Sequence, residues 1–511
     1  MVGLDATVVG IALPAIGREF TVGLDGLQWV VTAYTLTLAG LLLLGGNLGD
    51  RFGRRRMFVI GAVWFGLASA LCGLAPGATT LVLARGLQGV GGALLTPGSL
   101  ALLEASFVAK DRPRAIGAWS GLSGVAAAAG PFVGGWLIAT VSWRLVFFIN
   151  VPLTAAVVLM AARHVPESRA RDGRGRLDVV GALSVTAGLV ALTYGLIEGP
   201  ATRWTSPVAV GSLIAGVGLL ELFLRVESRA AEPLLPLGLF ASAQFTAANA
   251  VTFVVYGALG GVLFLTPVAL QEVAGYSPLA SGAALLPVTM IMFALSARSG
   301  SLAVRIGPRL QMSVGPCIVA TGVLLLVRLT ADGNYLTEVL PAVVVFGLGL
   351  AVTVAPLTAT ALGAVPAQHA GVASAVNNDV ARVAGLIVVA VLPALAGITG
   401  DSYLNPVQLG TGFRTAMLVA AATCLAGGVL AAGTIRNPAR LPQAAGPPRN
   451  TAAAWIVPLC APLAASSARP RTPESEPPEG SRMRRRRSRA PSSRLPPSDH
   501  HGCRCLDYKV Q

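Results

Sequence analysis

Fourteen stretches of about 20 apolar residues follow one another along this chain, and their length leaves little choice of fold. A helix of roughly 20 residues crosses the hydrocarbon core of a bilayer, and only a helix or a closed barrel satisfies every backbone N–H and C=O there. The expected spans lie near residues 1–17, 27–46, 57–75, 80–103, 115–139, 144–162, 178–197, 206–225, 245–270, 279–297, 312–329, 338–362, 372–398 and 413–434. Hydrophobic residues make up 54% of the 511 and charged residues 12%, with a mean hydropathy of +0.69, far from the composition of a soluble domain. The expectation is an all-α polytopic membrane protein.

Basic residues set the expected orientation, because Arg and Lys in short loops are retained in the cytoplasm. Loops after even-numbered spans hold 17 of them and loops after odd-numbered spans hold 5, which places both termini in the cytoplasm. The first span, Met1 to Ile16, would reach only about 24 Å and has no basic flank before it. A true start upstream accounts for both features; a short helix that thins the bilayer locally is the alternative. After Ile435 the chain turns to Pro, Ser and Arg, with Arg484 to Arg487 in a row, and residues 437–511 are expected to be a disordered basic tail. Contact with anionic headgroups is its functional reading and a merely solvated tail the plainer one.

Several chemistries are disfavoured. The six cysteines are scattered without paired spacing, and His164, His369, His500 and His501 fall in loops or the tail, so neither a disulfide framework nor a metal site is expected. Of 38 basic residues only Lys110 and Lys509 are lysine, which points to a high-GC genome rather than to arginine chemistry, and no nucleic-acid partner is expected. No Gly-x-x-x-x-Gly-Lys-Ser/Thr occurs, so ATP hydrolysis is not the energy source.

One pattern occurs twice. Between two apolar runs stands Gly46-Asn-Leu-Gly-Asp50-Arg51-Phe-Gly53-Arg54-Arg55-Arg56, and Gly300-Ser-Leu302-Ala-Val-Arg305-Ile-Gly307-Pro-Arg309 keeps its Gly-x-Leu-x-x-Arg-x-Gly-x-Arg frame. A short basic loop that recurs about 250 residues on is the mark of two related halves of a transporter.

Four motifs in the first half resemble the major facilitator superfamily, in particular its fourteen-helix drug:proton antiporters. They are Leu4-Asp5-Ala-Thr7-Val-Val-Gly10-Ile-Ala-Leu13-Pro14, the Gly46 to Arg56 segment, Arg85-Gly-Leu-Gln88-Gly89-Val-Gly91-Gly92, and Gly130-Pro131-Phe-Val-Gly134-Gly135. The resemblance continues through Ser142-Trp143-Arg144, Asn150-Val-Pro152, Leu270 to Pro278 and Ala375 to Arg382, and covers residues 1–436; Gly10 stands where the family usually has Asn. It implies two six-helix bundles around a substrate cavity, residues 1–177 and 241–436, with two extra central helices and a linker in 178–240.

The same resemblance assigns roles that the chemistry makes plausible. Asp5 is costly inside a span unless paired or protonated, and Arg85 is its natural partner; a proton-coupling pair and a structural ion pair are both open. Gly46, Asp50, Arg51, Gly53, Arg54 and Arg55 are expected to latch the cytoplasmic side, with Asp50 meeting the positive end of a helix; setting topology is the plainer reading. Gly130, Pro131, Gly134 and Gly135 let a helix bend and pack closely, and within the family this motif marks exporters rather than importers. Gln88, Gln271, Asn377, Asn378 and Arg382 are candidates for the substrate cavity, with interhelical hydrogen bonding as the alternative for the amides.

The expectation is therefore a monomeric antiporter in a bacterial cytoplasmic membrane. It would export amphiphilic drugs or a secondary metabolite by alternating access, with no cofactor beyond a proton gradient and with protons and the lipid bilayer as its other partners. An uptake symporter on the same fold and a transport-inactive sensor are the alternatives. A membrane enzyme is disfavoured, because no His, Ser or paired acidic residues converge at membrane depth.

Overall fold

The computed structural model describes residues 1–107, 111–169, 178–230, 233–331, 333–366 and 369–437. The expected tail, 437–511, lies outside them except for Asn437. Among the described residues fourteen long helical segments succeed one another: α1 (Val2–Phe20), α2 (Leu24–Phe52), α3 (Arg54–Gly73), α4 (Ala78–Ser106), α5 (Arg112–Thr140), α6 (Leu145–His164), α7 (Val179–Ala201), α8 (Pro207–Glu227), α9 (Ala243–Glu272), α10 (Pro278–Ile306), α11 (Pro308–Leu326), α12 (Tyr335–Gly363), α13 (Ala370–Leu395) and α14 (Pro406–Thr434). Each expected span falls on one of them. Twelve are long and apolar enough to cross a membrane; α1 carries Asp5, Arg18 and Glu19, and α5 is apolar over Ala129–Thr140.

Local chemistry explains where several helices begin. Ser206, Ser277 and Asn405 each precede a proline, and their side chains accept backbone N–H groups one turn into α8, α10 and α14. The cap satisfies a donor that has no intrahelical partner and is worth about 1 kcal/mol, while proline is preorganised for the first helical position.

The two basic segments are not loops. Helix α2 continues through Gly46 and Asp50 to Phe52, and α10 continues through Gly300 to Ile306. Each is joined to the next helix by a single glycine in a positive-φ conformation, Gly53 at φ 111° and Gly307 at φ 87°. The long arginine stems let charged heads reach water while the backbone stays helical.

Helices α1–α6 pack mainly on one another as a first bundle and α9–α14 as a second, with α5 also lying against the start of α10. The inserted pair α7–α8 packs on both: Gly40 of α2 lies against Thr186 of α7, and Leu36, Leu189 and Leu386 bring α2, α7 and α13 together. Bonds between the bundles gather at the end where α1 finishes and α2 begins. There Arg18 pairs with Glu272, Tyr403 bonds the Val22 carbonyl at 2.9 Å and Gln28 bonds that of Val389 at 2.7 Å. Asp50 and Arg54 lie at the opposite end and pair within the first bundle.

Candidate functional site

Asp5 and Arg85 meet in the interior of the first bundle. Arg85 Nη1 donates to Asp5 Oδ2 at 2.6 Å, and both side chains are sealed from solvent, at 0% and 1% exposure. The other carboxylate oxygen, Oδ1, accepts from Gln88 Nε2 at 2.8 Å and from Asn150 Nδ2 at 3.1 Å. Ser69 Oγ receives Gln88 Nε2 at 2.6 Å and Asn150 Nδ2 at 3.2 Å, and Gln88 Oε1 accepts Arg85 Nη1 at 2.6 Å. Four helices, α1, α3, α4 and α6, thus supply one polar knot, to which α2 adds the Val30 carbonyl bonded by Arg85 Nε at 3.1 Å.

This arrangement offsets the cost of burying two charges. Arg85 has its formal counter-charge and two neutral acceptors, and its guanidinium lies 4.3 Å from the Tyr34 ring centroid and 5.8 Å from that of Phe147. Removing one partner of such a pair leaves an uncompensated buried charge and costs about 3–5 kcal/mol. Two atoms beside the knot are idle: Asn150 Oδ1 and the Tyr34 hydroxyl are buried without a hydrogen-bond partner.

Helix α1 also reaches the second bundle. Gln271 Nε2 of α9 donates to the Ile11 carbonyl at 3.1 Å, Arg18 pairs with Glu272, and Gly17 leaves room for the Tyr403 hydroxyl. Burial and the neighbouring carboxylates of Glu272 and Asp401 push the Tyr403 phenol up to about 12, so it keeps its proton for the Val22 bond throughout the physiological range. Helix α5 continues the seam. A side chain at Gly130 would strike Thr7, one at Gly134 would strike Val8, and one at Gly135 would strike the Pro278 carbonyl; Gly282 in turn accommodates the Pro131 carbonyl. The Gly-Pro motif therefore lets α5 lie closely against α1 and against the start of α10.

At the opposite end, Asp50 pairs with Arg54 Nε at 2.7 Å. The carboxylate seated on the N-terminus of α3 is instead Glu167, whose oxygens accept the N–H groups of Arg55 at 3.0 Å and Arg56 at 3.1 Å. Arg55 Nη1 bonds the Val165 carbonyl at 3.0 Å, and Arg54 N–H bonds the Ser168 carbonyl at 2.9 Å. The second half repeats the device: Asn437 Oδ1 accepts the Arg309 N–H at 3.1 Å beside Gly307. Gly46 lies near Pro97, and Arg51 extends over the Phe52 ring.

The candidates for the cavity are spread out. Gln88 belongs to the Asp5 knot, and Gln271 bridges the bundles. Asn377 is buried and donates to Asn249 at 3.1 Å and Thr252 at 2.9 Å, both on α9. Asn378 is exposed and bonds the Ser374 carbonyl of its own helix at 2.9 Å; Arg382 is partly buried. Gly10 borders open space. Sequence reasoning did not single out Ser69, Asn150, Tyr34 or Glu167 for these contacts; the motif runs that contain or adjoin Asn150 were the available signal. Among the described residues, no group of three or more His, Cys, Asp or Glu is placed to hold a metal ion.

Comparison with known proteins gives consistent findings. The family model for the Major Facilitator Superfamily matches residues 1–390. The chain is 37% identical over 407 residues to the multidrug resistance protein Stp of Mycobacterium tuberculosis, covering 80% of this chain and 75% of that protein. It is 40% identical over 413 residues to the puromycin resistance protein pur8 of Streptomyces alboniger, covering 79% and 81%. The tetracenomycin C resistance and export protein of Streptomyces glaucescens is 37% identical over 406 residues, covering 79% and 75%. Among solved structures, a bacterial homologue of the human lysosomal transporter Spinster matches with a TM-score of 0.59 at 16% identity, over 85% of this chain and 94% of that one.

Proposed function

The chain belongs to the major facilitator superfamily, and from that premise we propose that it exports amphiphilic drugs or a secondary metabolite in exchange for protons. Membership makes it a multi-pass transporter rather than an enzyme, and its similarity to drug-resistance and export proteins speaks for efflux. The observation that carries the coupling is the sealed Asp5–Arg85 pair.

In this reading Asp5 is the proton carrier. Protonation removes the charge facing Arg85, so the guanidinium loses its counter-ion while held in a low-dielectric interior, and the knot must rearrange. A turned Asn150 amide would offer its idle Oδ1 to the new Asp5 hydroxyl. Because α1 bears Asp5 near one end and the Ile11, Gly17 and Arg18 contacts further along, its displacement is transmitted to the seam between the bundles. The membrane potential supplies about 2.3 kcal/mol per charge per 100 mV to such a step.

The contacts at the Arg18 end support a state closed there. With both termini in the cytoplasm that end faces outward, and the Asp50, Arg51, Arg54 and Arg55 cluster would latch the cytoplasmic side in the other half of the cycle. The transporter acts as a monomer and takes its energy from the gradient alone.

The test is substrate accumulation into everted vesicles with and without a protonophore. Asp5→Asn should abolish proton-driven export while protein remains in the membrane. Normal proton-driven export by that variant rejects Asp5 as the carrier, and export that ignores the protonophore in the native protein rejects proton coupling.

A further inference from the structure

Glu227, the last residue of α8, is 3% exposed, and its two carboxyl oxygens have different surroundings. Oε2 accepts the Leu235 N–H at 3.1 Å, in the segment that leads to α9. Oε1 is buried with no partner. Opposite stands Asp178, the cap of α7, whose Oδ1 accepts the Gly181 N–H at 2.7 Å and whose Oδ2 is also buried and idle. A Cβ at Gly181 would fall 2.4 Å from Asp178 Oδ2 and 2.9 Å from Glu227 Oε1, so the two idle oxygens border one small space.

Two ionised carboxylates are both acceptors and cannot bond, and at contact they repel. A single proton converts that repulsion into a strong O–H···O⁻ bond. We propose that Asp178 and Glu227 hold one proton between them, forming a proton-binding site separate from Asp5 that clasps α7, α8 and the lead into α9. Among the described residues the charged group facing the Glu227 carboxyl is Asp178; Arg225 is taken by Glu221 at 2.6 Å, and Arg229 is exposed. Since α7 rests on α2 and α13, the clasp steadies the inserted pair against both bundles. As pH rises and the proton leaves, two negative charges face each other, and their repulsion loosens the clasp between α7 and α8.

The full-length protein in lipid nanodiscs tests this. Infrared spectra should contain a protonated-carboxyl band that titrates with pH, persists in Asp5→Asn and disappears in Glu227→Gln. Its absence in Asp5→Asn, or its survival in Glu227→Gln, overturns the proposal. The amide of Glu227→Gln can replace the shared proton with a permanent N–H donor. The wild-type melting temperature should fall by about 3 °C or more as pH rises above the free carboxyl range, and that of Glu227→Gln should not. Equal pH dependence in both proteins overturns it as well. Should Glu227→Gln fail to fold, Asp178→Asn provides the same two readings from the facing residue.

Discussion

The carboxylate of Asp5 receives three donors from two helices, and each can be removed separately. Arg85→Lys keeps the charge but gives up the fork that reaches Asp5, Gln88 and the Val30 carbonyl together, and it loses the stack on Tyr34. Transport into everted vesicles should fall at least about tenfold despite the conserved charge, as expected for a loss of about 1.4 kcal/mol or more. Ser69→Ala should cost only about 1 kcal/mol, read as a lower melting temperature with transport retained, because Asp5 and Arg85 keep their mutual bond. Asp5 and Arg85 were legible because a charge in an apolar run demands a partner. Ser69 and Asn150 were not, since small polar side chains are common at helix contacts and nothing local to them says which helix they face.

At the scale of the helix, the corners at Gly53 and Gly307 invite a paired experiment. An alanine at Gly53 would be strained at φ 111° and would lie 2.8 Å from the Glu167 carboxyl. Gly53→Ala should therefore destabilise by about 1–3 kcal/mol in thermal unfolding. Glu167→Ala should cost about 1–2 kcal/mol through the two uncapped N–H groups, and the double variant should cost less than the sum because the clash is gone. Both corners were visible in the sequence as a repeat, yet charge and glycine disguised the last turns of α2 and α10 as loops. The caps were hidden for another reason: Glu167 and Asn437 act on helices whose starts are more than 100 residues earlier, at Arg54 and Pro308.

Across the whole molecule, the order of the described helices followed from apolar length. The seam did not, because Gln28, Gln271 and Tyr403 carry no signal of the backbone carbonyls they bond. Gln271→Leu and Tyr403→Phe each remove a bond worth about 1 kcal/mol from the contacts between the bundles at the Arg18 end. Spin-label distances across that end should show the open state enriched about fivefold by either change. Deleting residues after Arg440 should leave efflux intact, and lost export by correctly inserted protein would show that the tail takes part.

Asn437 lies beyond the last helix, yet its side chain fastens the first turn of α11. Trimming the gene back to Ile435 would spare every described membrane helix and still unbuckle a helix in the middle of the second bundle. A shortened version meant for crystallisation must keep the buckle, so the safe place to cut is set by one amide rather than by where the hydrophobic segments stop.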